Sequence, residues 1–143
     1  MIGLLIAMVS GALMSIQGVF NTRVTDTSSI WAANCFGQVT AFIVCIAVWG
    51  ATDRSPLTAV FQVQPRYMLL GGAMGALITY TVIRSMEMLG PARAVMLIVT
   101  AQLLVAYAIE LFGLFGTQKA EWEWRKAIGM AVTIAGIIIF KWK

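Results

Sequence analysis

MIGLLIAMVSGALMSIQGVFNTRV, residues 1–24, carries no charged side chain before Arg23. An α-helix rises 1.5 Å per residue, so residues 2–22 are long enough to cross the roughly 30 Å hydrocarbon core of a bilayer. Read in this way, the stretch decides the fold class: an all-α integral membrane protein. Two carboxamides near its end, Gln17 and Asn21, are four residues apart and share one helix face. The rest of the chain agrees with the membrane reading. Of its 143 residues, 60% are hydrophobic and 11% charged, where a soluble domain carries about 25% charged residues; the mean hydropathy is +0.87.

Apolar runs of membrane-spanning length fall at 2–22, 30–51, 67–89, 92–115 and 127–142. The last has its apolar body in 127–140 and is expected to be completed by Trp142 at the interface, with Lys141 and Lys143 snorkelling into the headgroups. Between the runs lie TRVTDTSS, TDRSPLTAVFQVQPR, a tight turn at Gly90-Pro91, and GTQKAEWEWRK. None is long enough to hide a soluble domain, so residues 1–143 are expected to form a single membrane domain of five helices. The first run is read as a helix and not as a cleaved signal, since no basic segment precedes it and no small-residue cleavage site follows. Trp122 and Trp124 are expected in an interfacial aromatic belt, with a ligand gate as the alternative.

The composition argues against catalysis. There is no histidine, and no metal-ligand or nucleophile-base spacing occurs. The two cysteines, Cys35 and Cys45, lie ten residues apart in one apolar run, too far apart along a helix for a disulfide, and read as small apolar packing residues. No enzyme activity, cofactor, metal or nucleic-acid partner is expected.

Lysine and arginine in alternate loops set membrane orientation. One side holds Arg54, Arg66, Lys119, Arg125 and Lys126, and the other holds Arg23, Arg84, Arg93, Lys141 and Lys143. A balanced tally has two explanations. Either the chain inserts both ways and pairs antiparallel with itself, giving a ten-helix homodimer, or it is weakly biased and is oriented by a partner or by its first helix. An antiparallel pair would reproduce the inverted-repeat plan of many transporters. Small residues supply close helix contacts in lipid, and Gly71 with Gly75, and Gly129, Thr133 and Gly136, each line up on one face. Spacing alone does not say whether such contacts form within or between chains.

Depth along the helices groups the polar residues. Gln17 falls about 6 to 9 Å from the midplane, and Asn21 falls near the interface on the same side, where it has a second reading as a simple helix-end residue. Asn34 and Gln38 repeat the four-residue spacing on the second helix, and Gln102 is central on the fourth. A polar side chain in a membrane helix pairs with another helix or faces a wet cavity. One reading has Gln17 and Gln38 hydrogen-bonding across the first hairpin. The other has Gln17, Asn21, Asn34, Gln38 and Gln102 lining a polar vestibule for substrate, walled by Phe20, Tyr80 and Tyr107. Arg84 and Glu87 form an ordinary local pair at i, i+3. Glu110 has no basic neighbour one turn away on its helix, and two further roles are open for it: proton-coupling acid, or partner of Arg84 on an antiparallel copy.

The spacing in GALMSIQGVFNTRV (11–24), GPARAVMLIVTAQLLVAYAIELFGLFG (90–116) and WRKAIGMAVTIAGIIIF (124–140) resembles the drug/metabolite transporter superfamily, in particular its half-size, five-helix branch, the YdcZ-type bacterial inner-membrane proteins. The resemblance covers essentially the whole chain. It implies a multi-pass protein of the bacterial inner membrane that acts as a secondary transporter of small polar metabolites or drug-like compounds. Alternating access at an antiparallel dimer interface is the implied mechanism. Four-helix relatives that export cations use a glutamate on the first helix, where this chain has Gln17 and no acid. Two rival classes are a small dual-topology ion channel and a non-transporting membrane subunit; saturable flux would distinguish a carrier from either.

Overall fold

The computed structural model describes residues 1–141, with the side chain of Lys141 left out, so the expectations for Lys141, Trp142 and Lys143 at the interface fall outside the described residues. Five helices follow one another: α1 (Ile2–Thr25), α2 (Ile30–Thr52), α3 (Gly71–Leu89), α4 (Pro91–Phe112) and α5 (Trp124–Lys141). Among the described residues, four helical stretches are long and apolar enough to cross a membrane: Ile2–Thr25, Ile30–Thr52, Arg66–Leu89 and Pro91–Phe112. The last helix has 18 residues and carries Arg125 and Lys126 in its first turn, which leaves it outside that group. The chain divides into two compact units, Met1–Met88 and Leu89–Lys143.

Helix ends depart from the apolar runs where side chains take over from lipid. The first helix runs on to Thr25, one turn past the apolar stretch. The Thr22 hydroxyl donates to the Gly18 carbonyl at 2.8 Å and Thr25 to that of Asn21 at 3.0 Å. Asn21 therefore lies inside the helix and does not end it. Ser29 starts α2, its side chain accepting from the Ala32 N–H at 3.1 Å, a standard N-cap that satisfies one of the open donors of the first turn. At the far end of α2 the Asp53 carboxylate accepts from the Ser55 N–H and hydroxyl at 3.1 and 3.2 Å, while the Trp49 indole N–H donates to the Ser55 carbonyl at 3.1 Å. The connection to α3 contains two short 3-10 segments, Leu57–Gln62 and Arg66–Leu70, so the third apolar run begins as a tight helix and becomes α-helical only at Gly71.

In the first unit, α1 and α2 form an antiparallel hairpin in which Asn21 faces Gly37, with Oδ1 3.7 Å from where a Cβ would stand. The close crossing of α1 with α3 is made at Gly18. A Cβ there would collide with the Met86 thioether and lie 3.2 Å from Val82 Cγ1. Gly71, Gly75, Gly129 and Gly136 have nothing within 4 Å of a notional Cβ among the described residues. A methyl group at any of these four positions would thus meet open space among the described residues, although Gly129 and Thr133 turn toward α4.

In the second unit, Pro91 opens α4, where the missing N–H costs nothing, and Gly113 closes it in the left-handed conformation at φ 63°. The helix thus stops at Phe112 and does not reach the expected residue 115. The Glu110 carbonyl accepts from the N–H groups of Gly113 at 3.3 Å and Ala120 at 2.9 Å, folding the loop back onto the helix end. Then α5 returns antiparallel: Leu89, Arg93 and Met96 meet Ile137 and Phe140 at one end, and Tyr107 meets Lys126 at the other.

Burial is sparse. Among the described residues the buried apolar side chains are Ala33, Ile83, Met86, Ala94 and Tyr107, and Asn34 is the buried polar one. Leu, Ile, Val and Phe side chains stand exposed along all five helices. In water this surface would drive association, whereas in lipid it is matched by the solvent.

Candidate functional site

Each unit has a concave site lined by several polar side chains. The first is an open groove of about 550 Å³ between α1 and α2, bordered by Gln17, Phe20 and Asn21 on one helix and Gly37, Thr40 and Cys45 on the other. Gln17 and Asn21 share a face because they are one turn apart, and Gly37 leaves room opposite them. The Gln17 carboxamide is exposed and makes no hydrogen bond among the described residues. An amide with free donors and acceptor beside Thr40 and Phe20 can bind a polar group and an apolar one side by side.

The second-helix amides occupy a different place from Gln17. Asn34 is 2% exposed and donates from Nδ2 to the Ala76 carbonyl on α3 at 2.8 Å. Gln38 donates to Asn34 Oδ1 and to Thr79 Oγ1, each at 3.4 Å. Both belong to the α2–α3 seam, and no bond joins Gln38 to Gln17 among the described residues. One turn earlier the Trp31 and Tyr80 rings stack with centroids 4.8 Å apart and planes 18° from parallel. Tyr80 thus borders the seam, and its partner Trp31 is a contact that sequence reasoning missed. Trp31 sits in the first turn of α2, where a tryptophan reads as an interfacial anchor, so no pattern singled it out.

The second site is a cavity of about 360 Å³ between α4 and α5, lined by Leu103, Tyr107 and Glu110 on α4 and by Lys126, Met130 and Thr133 on α5. Tyr107 is 9% exposed and its hydroxyl has no hydrogen-bond partner among the described residues, an arrangement that costs about 1–3 kcal/mol when nothing fills it. Around its ring gather Trp122, centroid 6.1 Å away, and the Lys126 ammonium, 5.9 Å from the centroid. Trp122 in turn meets Trp124 edge-on at 5.9 Å. Lys126 also pairs with Glu123 at 3.4 Å, a half-exposed contact that contributes little. Glu110 is in no ion pair among the described residues. Arg84 is held by Glu87 at 3.1 Å within its own helix, as its spacing predicts.

Gln102 is exposed on α4 and borders neither site. No group of three or more His, Cys, Asp or Glu side chains that could hold a metal occurs among the described residues. Cys35 and Cys45 are both free thiols.

A family model described as "Putative inner membrane exporter, YdcZ" matches residues 2–139. No curated protein and no solved structure matches the chain.

Proposed function

Because the chain belongs to the YdcZ family of the inner membrane, a family described as exporters and not as enzymes, we propose that it is a secondary transporter working as an antiparallel homodimer. The observation that carries this reading is the α1–α2 groove with Gln17 free at its wall. A membrane-embedded amide with no partner is expensive beside lipid and useful beside a solute.

Three features support the dimer. Lysines and arginines divide five against five between the two sides if all five helices span. Gly71 on α3 and Gly136 on α5 have no described atom within 4 Å of a notional Cβ, which suits close contact with a second copy. Five spans per chain, doubled with inversion, reproduce the symmetry that lets a carrier open alternately to each side. With 18 residues, α5 extends about 27 Å, close to a hydrocarbon core, and Arg125 and Lys126 at its start reach the headgroup region.

The substrate is a small polar metabolite or drug-like compound, bound by Gln17 and Asn21 across the groove. Asn34, Gln38 and Tyr80 hold α2 against α3 and so fix the second wall. The test of topology is accessibility labelling of single cysteines placed at each terminus of a Cys-free variant in intact cells. Each terminus reacting from both sides of the membrane is expected; one-sided labelling of both termini would sink the homodimer.

A further inference from the structure

The α4–α5 cavity holds two unlike charges that do not meet. Glu110 and Lys126 both line it, yet no ion pair joins them, and Lys126 turns to Glu123 at its rim. Tyr107 lines the same cavity, its hydroxyl buried without a partner among the described residues, and Leu103 and Met130 supply apolar wall. We propose that this cavity binds a small zwitterion, an ammonium and an acid group on one apolar body. The ammonium pairs with Glu110, and the acid group accepts hydrogen bonds from the Tyr107 hydroxyl and the Lys126 ammonium.

Charge complementarity selects this ligand over simpler ones. A ligand with only an acid would leave Glu110, which has no ion pair among the described residues, facing an apolar occupant, and one with only an amine would leave Lys126 with its rim contact to Glu123 alone. A zwitterion satisfies both and adds no net charge to a membrane site. The buried hydroxyl is the independent sign, because buried polar groups in folded proteins have partners and this one has none. Two sources offer the chemistry: a free amino-acid-like metabolite, or the ammonium and phosphate of an aminophospholipid headgroup. The proposal stands apart from the transport reading, since binding is measured without transport and topology without ligand.

The test uses the full-length protein in nanodiscs of phosphatidylglycerol, with L-leucine, L-methionine and L-phenylalanine as probes and isopentylamine and 4-methylpentanoate as single-charge comparators. A second arm measures retention of phosphatidylethanolamine in detergent by native mass spectrometry. Saturable binding of at least one amino acid, or specific retention of the aminophospholipid, is expected, and the two arms tell the sources apart. Single-charge comparators should bind about tenfold or more weakly, and Glu110→Gln and Tyr107→Phe should each weaken binding by about tenfold. Tyr107→Phe should leave the melting temperature equal or higher, because it removes an unpaired buried hydroxyl; a tyrosine of purely structural value would lower it. Absence of binding in both arms, comparators that bind as well as the zwitterions, or variants with unchanged affinity would overturn the assignment.

Discussion

Asn34 on α2 and Ala76 on α3 are joined by a side-chain to backbone hydrogen bond of 2.8 Å, with Asn34 almost wholly buried. In a membrane protein the driving force for bringing helices together comes from packing and from bonds of this kind. The relationship ties α2 to α3 at a point where neither helix has a charged residue.

Replacing Asn34 with Leu should therefore lower stability by about 1 kcal/mol, the usual scale of an interhelical polar contact in lipid. Gln38→Leu should cost less, since both of its bonds are 3.4 Å long and its side chain is exposed. Thermal unfolding of the purified variants in one detergent compares the two directly. Equal losses would mean that the seam does not rest on Asn34.

Gly18 should accept a methyl group only if the flexible Met86 thioether swings aside, and a branched side chain poorly. Its notional Cβ collides with Met86 and nearly touches Val82, and overpacking of a close crossing typically costs about 1–3 kcal/mol. Gly18→Val is expected to melt earlier than the parent, and Gly18→Ala to be partly restored by Met86→Ala, because a flexible thioether is the nearer obstacle. Melting temperatures of the two single variants and the double variant measure that coupling.

Cys45 borders the α1–α2 groove and Cys35 does not. They lie about 6 and 9 Å of helix rise from the midpoint of α2, so depth does not favour Cys45. A charged, water-borne thiosulfonate reagent should modify Cys45 several-fold faster than Cys35 in proteoliposomes if water enters the groove. Comparison of the two single-cysteine variants decides it, and faster reaction at Cys35 would mark the groove as lipid-filled.

Gln17→Ala should leave the unfolding free energy within about 0.5 kcal/mol of the parent, because the amide has no partner to lose among the described residues, and should reduce transport about tenfold. Solute uptake into proteoliposomes, read beside the melting curve, separates the two effects. A loss of stability with transport intact would make Gln17 a packing residue.

The positions of the long helices were legible in the sequence because a bilayer demands long apolar runs, and their ends were legible only where a residue has a fixed habit. Ser29 as an N-cap and Pro91 in a first turn are such habits. Thr25 was missed because Thr22, Arg23 and Thr25 look like a loop, whereas threonine hydroxyls bonded back to the helix carry it one turn further. Gly113 was passed over because the apolar run continues through Leu114 and Phe115, and hydropathy does not register a left-handed residue.

For the candidate sites the sequence offers spacing along each helix and not neighbours across helices. Spacing put Gln17 with Asn21 and Asn34 with Gln38, and both pairings hold along their helices. Spacing could not tell that α3 lies against Asn34 while Gln17 is left open. Glu110 stood out from the lack of a basic residue on its own helix, but the facing Lys126 and the buried Tyr107 hydroxyl depend on how α5 returns, which no local pattern contains.

The helices differ in length, with α1 at 24 residues and α5 at 18, a difference of six residues or about 9 Å. If α5 spans as proposed, no single bilayer thickness suits both upright. In a thick bilayer α5 would then draw the headgroups inward through its terminal basic residues, and in a thin one α1 would lean, each at a fraction of a kcal/mol per Å. Acyl-chain length then becomes a control variable for this protein, and the lipid chosen for reconstitution sets which of its two hairpins is under load.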